Sequence, residues 1–234
     1  MNKKVSSFVL YRIPFVLYLL ERILYKIQLS SLRFYEDEPT FHLLQSVYRE
    51  TNVLVQPFEL AMIFHLALMQ HSLQGDMAEV GTYRGGSAKI ICSAKGDKHY
   101  YGFDTFSGLP NVSECDTHSG IHFFRRHQFS ASYDQVCSYL HSFNNVHLIK
   151  GEFPASASHL TKCRFCFVHL DADLYQSTAD GLRFFWDKLV ERGIIVIHDY
   201  HATTGVRQAV DEFLAIHREV HFFRSVCSQI VLMK

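Results

Sequence analysis

The segment MAEVGTYRGG, at positions 77–86, combines a short apolar strand with a group of glycines. Ala78 and Val80 suit a buried strand, and Glu79 places an acid where that strand would end. Glycines at positions 81, 85 and 86 predict a turn, because glycine adopts positive φ and lets a ligand approach the backbone. Ser87 is a suitable cap for a following helix. The unit is typical of the ligand-binding corner of a doubly wound α/β fold, although the spacing is not G-x-G-x-x-G and such a turn can also be a plain connection.

Strand-like and helix-like segments alternate from this point onward. Strands are predicted at Met77–Gly81, Tyr100–Asp104, Val146–Lys150, Phe165–Asp171 and Gly193–Asp199. Helices are predicted at Ser87–Lys95, Tyr133–Phe143, Thr178–Val190 and Gly205–Ile216. The alternation indicates a mostly parallel sheet with helices on both faces. Two last apolar runs, Val220–Phe223 and Gln229–Met233, are too close for a helical crossover, so we expect an antiparallel hairpin that completes seven strands.

The N-terminal third is predicted to be helical. Thr40–Arg49 and Pro57–His71 are helical segments, and the second is apolar on almost every side, which indicates that it is buried. We therefore divide the chain into an N-terminal helical extension, residues 1–75, and an α/β domain, residues 76–234.

The segment Phe8–Leu29 is strongly apolar, but four charged residues interrupt it. Its longest uncharged run, Ile13–Leu20, is far below the roughly 20 residues that a membrane-spanning helix needs. Leucines and isoleucines at helical spacing near Leu19–Leu29 predict an amphipathic helix. This helix would pack on the domain or on a second subunit, which favours a homo-oligomer, or would lie on a membrane surface.

The composition excludes some classes of function. Lys plus Arg and Asp plus Glu are equal at 23 each, so nothing favours nucleic acid as a partner. Most of the six cysteines lie in apolar runs. Cys163 and Cys166 have C-x-x-C spacing, but no second pair completes a zinc site, so we interpret them as structural thiols of a cytoplasmic protein.

Acidic side chains end four of the predicted strands. They are Glu79, Asp104, Asp171 with Asp173 after it, and Asp199 preceded by His198. Ligands bind outside the carboxyl ends of such strands, and crowded carboxylates are tolerated when a cation or a hydroxyl-rich ligand lies between them. Asp104 is placed to accept ribose hydroxyls. The group around Asp171 and His198 is typical of a divalent-cation site, or alternatively consists of helix caps and a satisfied histidine.

Four motifs together resemble one known family: AEVGTYRGGSA, GFDTFSGLP, HLDADLYQST and IHDYHATTGVRQAVDEF. Between about Asp76 and Phe213 the chain resembles the macrocin O-methyltransferase family. The resemblance implies a class I, Rossmann-like methyltransferase that uses S-adenosylmethionine. It also implies methylation of sugar hydroxyls on antibiotics or other glycosides with a divalent metal, usually magnesium, and N-terminal helices that cover the substrate and join subunits.

The resemblance also assigns roles to individual residues. It implies cofactor contacts for Glu79, Gly81, Thr82, Tyr83, Gly85, Asp104, Ser130, Gly151 and Phe153. Glu79 and Gly81 match the motif that holds the methionine part, and Asp104 matches the acid on the ribose hydroxyls. The metal ligands that it implies are Asp171, His198 and Asp199, with Asp173 as a further ligand or a neighbour of the ligands.

His198 departs from the family pattern, which has Asp-Asp-Tyr where this chain has His-Asp-Tyr. Imidazole is a poor ligand for magnesium and a better one for manganese, iron or zinc. Three interpretations are open: a different metal, an ion held by Asp171 and Asp199 alone, or a role for His198 as a base. The candidate catalytic bases are Asp171, His198 and His201.

Two other functions are compatible with this sequence. One is a catechol-type O-methyltransferase that acts on an aromatic diol, and the other is a cofactor-binding module without catalysis. Contacts to the acceptor would lie in Met1–Thr51 and Asn111–Phe129. The second of these segments is rich in histidine and arginine, and it predicts a solvated, mobile lid or a lid that contacts a phosphate or a sugar.

Overall fold

The computed structural model describes residues 14–118 and 120–234, with side chains at residue 20 and from residue 22 onward. One sheet contains β1 (Asp76–Val80), β2 (Tyr100–Asp104), β3 (Val146–Lys150), β4 (Phe165–Leu170), β5 (Leu189–Ile197), β6 (His221–Arg224) and β7 (Ile230–Met233). Their order is β3-β2-β1-β4-β5-β7-β6. The first five are parallel, and β7 is antiparallel to both β5 and β6. The predicted doubly wound, mostly parallel sheet and its closing hairpin are confirmed.

The helices lie before and between the strands. They are α1 (Pro14–Leu32), α2 (Glu38–Glu50), α3 (Pro57–Met69), α4 (Gly86–Ala94), α5 (Tyr133–Leu140), α6 (Tyr175–Trp186) and α7 (Thr204–Ile216). Alternate β1 residues enter different cores, Met77 with α3 and α4, and Ala78 with α6 and α7. Because both faces of the sheet are covered, β4 is buried at every position.

The N-terminal helices share a core with the sheet. Leu44 of α2 and Leu60 of α3 are fully buried in the same cluster as Ile91 of α4 and Tyr100 of β2. The division at residue 75 stays a prediction, since the packing on this face is continuous across it.

One boundary between elements was wrong. The helix predicted at Thr178–Val190 begins earlier and ends at Trp186, because β5 already starts at Leu189. Between the pairs Phe165–Leu189 and Phe167–Ile194 the register shifts, and Arg192 has a φ of 61°. This irregular start exposes Glu191 and Arg192, so the segment resembles a turn in the sequence.

Helix α1 presents an apolar surface to solvent. Leu20, Ile23, Leu24 and Ile27 are 43–59 % exposed. The predicted helix is confirmed from Pro14 onward, whereas residues 8–13 of the predicted apolar segment lie outside the described part of the chain. No helix in the described ranges combines the length and the apolar character needed to cross a membrane.

Candidate functional site

The ends of β1, β2, β4 and β5 form one continuous edge. Backbone hydrogen bonds extend the sheet just beyond the strands: Gly81 donates to Phe103, Asp171 to Val80, and His198 to Leu170, at 2.8–2.9 Å. The predicted cofactor turn and the predicted metal ligands are therefore neighbours at the carboxyl edge, as the strand-end rule requires.

Gly81 lies against the backbone of Asp171. Its φ is +93°, and a Cβ at this position would lie 1.9 Å from the carbonyl oxygen of Asp171. Gly85 has a φ of +82° and caps α4, and its N–H donates to the carbonyl of Thr82 at 2.8 Å. The glycines thus permit both the tight turn and the contact between β1 and the end of β4.

Asp104 organises the cofactor side of this edge. Its carboxylate accepts hydrogen bonds from the N–H groups of Tyr83 at 2.7 Å and Phe106 at 2.6 Å. Its carbonyl accepts one from the N–H of Gly151 at 3.0 Å. Burial raises the pKa of Asp104, although the two backbone hydrogen bonds act in the opposite direction. The structure therefore brings Tyr83, Asp104 and Gly151 together, as predicted for the cofactor side.

Glu79 lies beneath the turn and is fully buried. One carboxylate oxygen accepts a 2.5 Å hydrogen bond from the hydroxyl of Tyr100, and the other is 2.8 Å from Nδ1 of His169, which is also fully buried. Thr82 is buried beside them. The contact of Glu79 with the methionine part of a cofactor stays a prediction, and the carboxylate already has two partners from the protein.

Two predicted cofactor residues lie further from this group. Ser130 is exposed just before α5, next to Ala131, whose N–H donates to the carbonyl of Phe106 at 3.4 Å. The ring of Phe153 packs with Phe103 and with Phe185 at the C-terminal end of α6, at centroid distances of 5.2 and 5.4 Å. The Phe153 side chain is thus partly buried against the core, and its contact with a cofactor stays a prediction.

Asp171, His198 and Asp199 converge on one point. Each offers an oxygen or nitrogen atom, and these atoms all lie within 4.8 Å of one another. Nδ1 of His198 is 3.4 Å from Oδ1 of Asp171 and 3.2 Å from Oδ1 of Asp199. This nitrogen is buried, and no atom of the described residues meets hydrogen-bond geometry with it. Asp173 and Asp199 have φ values of 61° and 60°, a strained backbone for non-glycine residues that is frequent at functional sites.

Crowded negative charge dominates the electrostatics of this cluster. Burial and the charges of Asp199 and Asp171 raise the pKa of Asp173 well above its ordinary value, and burial also raises that of Asp171. Burial alone would lower the pKa of His198, but Asp171, Asp199 and Glu59 raise it well above its usual range. The donor set is short of positive charge and fits a divalent cation between its carboxylates.

Glu59 of α3 is a member of this site that the sequence analysis missed. It is 1 % exposed, and its Oε2 lies 3.1 Å from Nε2 of His198. Its Oε1 accepts from the N–H and the hydroxyl of Ser228 at 2.8 and 2.6 Å. Burial opposes the ionised form, but His198 and the hydrogen bonds lower the pKa of Glu59 to about 2. The sequence did contain a signal for this residue, because Glu59 is the single acid in a helix predicted to be buried on all sides. A buried charge needs a partner, so a contact with another polar group could have been predicted.

His201 is not part of the cluster. Its side chain is exposed and packs edge-on against Tyr200 at 5.0 Å. Its N–H donates to the carbonyl of Ser228, and its carbonyl accepts from Arg207. The structure does not bring this candidate base to Asp171.

The first half of the predicted lid is fixed to the domain. Asp116 is 2 % exposed and accepts hydrogen bonds from Ser113 and, at 2.7 Å, from the N–H of Tyr175 at the start of α6. The hydroxyl of Thr204, at the start of α7, bonds to the same loop. The buried acid therefore ties this half of the loop to the start of α6, and Thr204 ties it to the start of α7, whereas the role of the segment as a lid stays a prediction.

Comparison with known proteins identifies relatives of this chain. The model of the macrocin-O-methyltransferase (TylF) family matches residues 62–226. A curated relative from Streptomyces olivaceus, a rhamnosyl-tetracenomycin C 4'-O-methyltransferase, is 28 % identical over 62 % of this chain and 60 % of its own length. Demethyldecarbamoylnovobiocin O-methyltransferase from Streptomyces niveus is 25 % identical over the same shares. The matches thus span about 60 % of these relatives.

Solved structures share the fold. The O-methyltransferase NovP has a TM-score of 0.68 at 20 % identity, covering 93 % of this chain and 98 % of NovP. TomG from Streptomyces achromogenes, solved in complex with SAM, has a TM-score of 0.57 at 14 % identity, covering 85 % of this chain and 89 % of TomG. At these identities the likeness shows the class I methyltransferase fold.

Proposed function

Because the chain belongs to the macrocin O-methyltransferase family, we propose that it transfers the methyl group of S-adenosylmethionine to a hydroxyl group of a sugar or glycoside, with the help of a divalent cation. The observation that carries this proposal is the convergence of Asp171, His198 and Asp199 next to the glycine turn. The name of the rhamnosyl-tetracenomycin relative favours a sugar hydroxyl over an aromatic diol as the acceptor.

The residues present suit the cation. Among the described residues, Nδ1 of His198 has no hydrogen-bond partner, and this buried nitrogen faces two carboxylate oxygens. When bound, a divalent cation lowers the pKa of a hydroxyl group and orients a vicinal diol. Because one of the three donors is an imidazole, we expect the site to prefer manganese over magnesium.

Asp171 is the base that we propose. Its carboxylate belongs to the cluster beside the glycine turn, and a base must lie within hydrogen-bond reach of the proton that it removes. His198 is less suited, because its Nδ1 faces the proposed cation site at Asp171 and Asp199, and its Nε2 faces Glu59. His201 is exposed and lies outside the cluster.

S-adenosylmethionine would supply its sulfonium methyl group to the acceptor oxygen and leave as S-adenosylhomocysteine, and Asp171 would take the proton of the acceptor hydroxyl. The side chain of Asp104 would accept the ribose hydroxyls, and the turn from Gly81 to Gly85 would hold the methionine part of the methyl donor. Correct placement of methyl and oxygen supplies much of the rate. The free thiols of the described chain support action in the reducing cytoplasm.

The test uses the purified chain with methyl-labelled S-adenosylmethionine. Rhamnosyl glycosides and catechol are offered as acceptors, with chelator, magnesium or manganese. We expect label on the glycoside, no label after chelation, and better recovery with manganese than with magnesium at equal concentration. Full activity after exhaustive chelation would remove the cation from the proposal, leaving protonated His198 as the local positive charge. Binding of S-adenosylmethionine without transfer to any acceptor would favour a non-catalytic module.

A further inference from the structure

We propose that Glu59 is a positioning residue that fixes the orientation and the tautomer of His198, so that Nδ1 of the imidazole faces the cation. This inference rests on the cation of the proposed function. It assigns part of the site to α3, a helix of the N-terminal third that lies 139 residues before His198 in the chain.

The two nitrogens of His198 face different surroundings. Nε2 is 3.1 Å from the carboxylate of Glu59. Nδ1 has no hydrogen bond within the described part of the chain, and it faces the carboxylates of Asp171 and Asp199. A neutral imidazole that ligates a metal carries its proton on the other nitrogen, and a carboxylate acceptor there fixes both the tautomer and the ring plane. Glu59 is that acceptor.

Glu59 is itself held independently of His198. The N–H of Gln56 donates to its Oε2 at 3.1 Å as part of the cap of α3, and Ser228 donates twice to its Oε1. These contacts fix the carboxylate from both sides. The ring of His198 therefore adapts to Glu59, and the position of Nδ1 follows.

The experiment measures binding of manganese(II) to the full chain without substrate. Electron paramagnetic resonance measures the concentration of unbound manganese(II). Electron spin echo modulation detects the coupling of bound manganese(II) to nitrogen-14 of a ligating imidazole. We expect Glu59→Gln to weaken binding about 10- to 100-fold, the range typical for loss of a partner of a ligand. We also expect it to reduce the nitrogen coupling, because an amide group must present its NH₂ either to Ser228 or to His198.

A double-mutant cycle separates this role from a general structural one. In the His198→Asp background there is no tautomer to fix, so Glu59→Gln should cost no further affinity. Glu50→Gln is the matched control, because Glu50 also joins an N-terminal helix to the domain, through Lys89, and lies outside the cluster. It should leave manganese binding unchanged.

Three results would overturn the inference. Unchanged affinity and unchanged nitrogen coupling in Glu59→Gln would show that the acid does not orient His198. Equal losses in the native and His198→Asp backgrounds would show a structural role alone. No binding of manganese to the unmodified chain would remove the cation and this inference with it, whereas methyl transfer, measured separately, would still decide the remainder of the proposed function.

Discussion

Replacement of Gly81 by alanine should destabilise the protein more than replacement of Gly85 or Gly120, which also have positive φ. The added Cβ would lie 1.9 Å from the carbonyl oxygen of Asp171, and contacts of real Cβ atoms stay above 3.0 Å, so the two backbones must separate by about 1.1 Å. That movement would break the 2.9 Å hydrogen bond from Asp171 to Val80, worth about 1 kcal/mol net. The positive φ costs a further 1–2 kcal/mol or so.

When the cost of the clash itself is added, we expect Gly81→Ala to lower the free energy of unfolding by about 3–5 kcal/mol, which is at the upper end for single substitutions. Two other glycines provide a graded series. The Cβ of Gly120→Ala would meet nothing within 4 Å among the described residues, at a φ of +79°, so this variant isolates the backbone cost of about 1–2 kcal/mol. Gly85→Ala, at +82°, meets only side chains at 3.2 Å or more and should fall between them.

Urea unfolding of the three variants measures this order. The slope of the free energy of unfolding against urea concentration should be the same for all three variants, since a change in this slope would indicate a change in the surface exposed on unfolding. Manganese affinity of folded Gly81→Ala should also fall, because Asp171 is displaced. A free energy of unfolding for Gly81→Ala within about 0.5 kcal/mol of Gly120→Ala, an ordinary limit for substitutions without special mechanism, would refute the close approach of β1 and β4.

Further predictions concern the cofactor, the lid loop and assembly. Asp104→Ala should lower the affinity for S-adenosylmethionine, measured by calorimetry, at least ~10-fold, which corresponds to about 1.4 kcal/mol for the lost charge-assisted hydrogen bonds. An unchanged affinity would remove the assignment of Asp104 to the ribose. Asp116→Ala should lower the free energy of unfolding in urea by about 2–4 kcal/mol, because the N–H groups of Ser113 and Tyr175 lose a buried acceptor, whereas Asp180→Ala at an exposed ion pair should lower it by less than about 1 kcal/mol. If α1 joins subunits, light scattering should show a dimer or larger oligomer that Leu24→Glu reduces to monomer, and a monomeric native chain would contradict this.

The strand order and the layers follow from features that are visible in the sequence. Parallel strands covered on both faces appear as continuous apolar runs, and Phe165–Leu170 is buried at each of its six positions. The start of β5 was not visible. Its first two residues are separated from the regular ladder by an irregular segment with exposed Glu191 and Arg192, and local sequence cannot distinguish such a segment from a turn.

The candidate metal site was largely predictable, because chain direction alone places the ends of parallel strands at one edge. The direction in which an individual side chain points could not be predicted from the sequence. Glu79 and Asp104 both end strands, yet Glu79 is fully buried against Tyr100 and His169, while Asp104 binds the loop backbone at the edge. Asp116 appeared as one polar residue in a loop, and only the tertiary structure shows it between two helix N-termini.

The position of Glu59 links the N-terminal helices to the chemistry of the edge. Pro57 begins α3, and the backbone of Gln56 binds Glu59 within the same turn, so the carboxylate is fixed by the local start of the helix. Ser228 fixes it from the turn between β6 and β7. His198 is therefore oriented by two elements that contain none of the proposed metal ligands. Any movement of α3 relative to the β6–β7 hairpin would change the direction of Nδ1 of His198. An acceptor that displaces the N-terminal helices would therefore change the affinity for the cation.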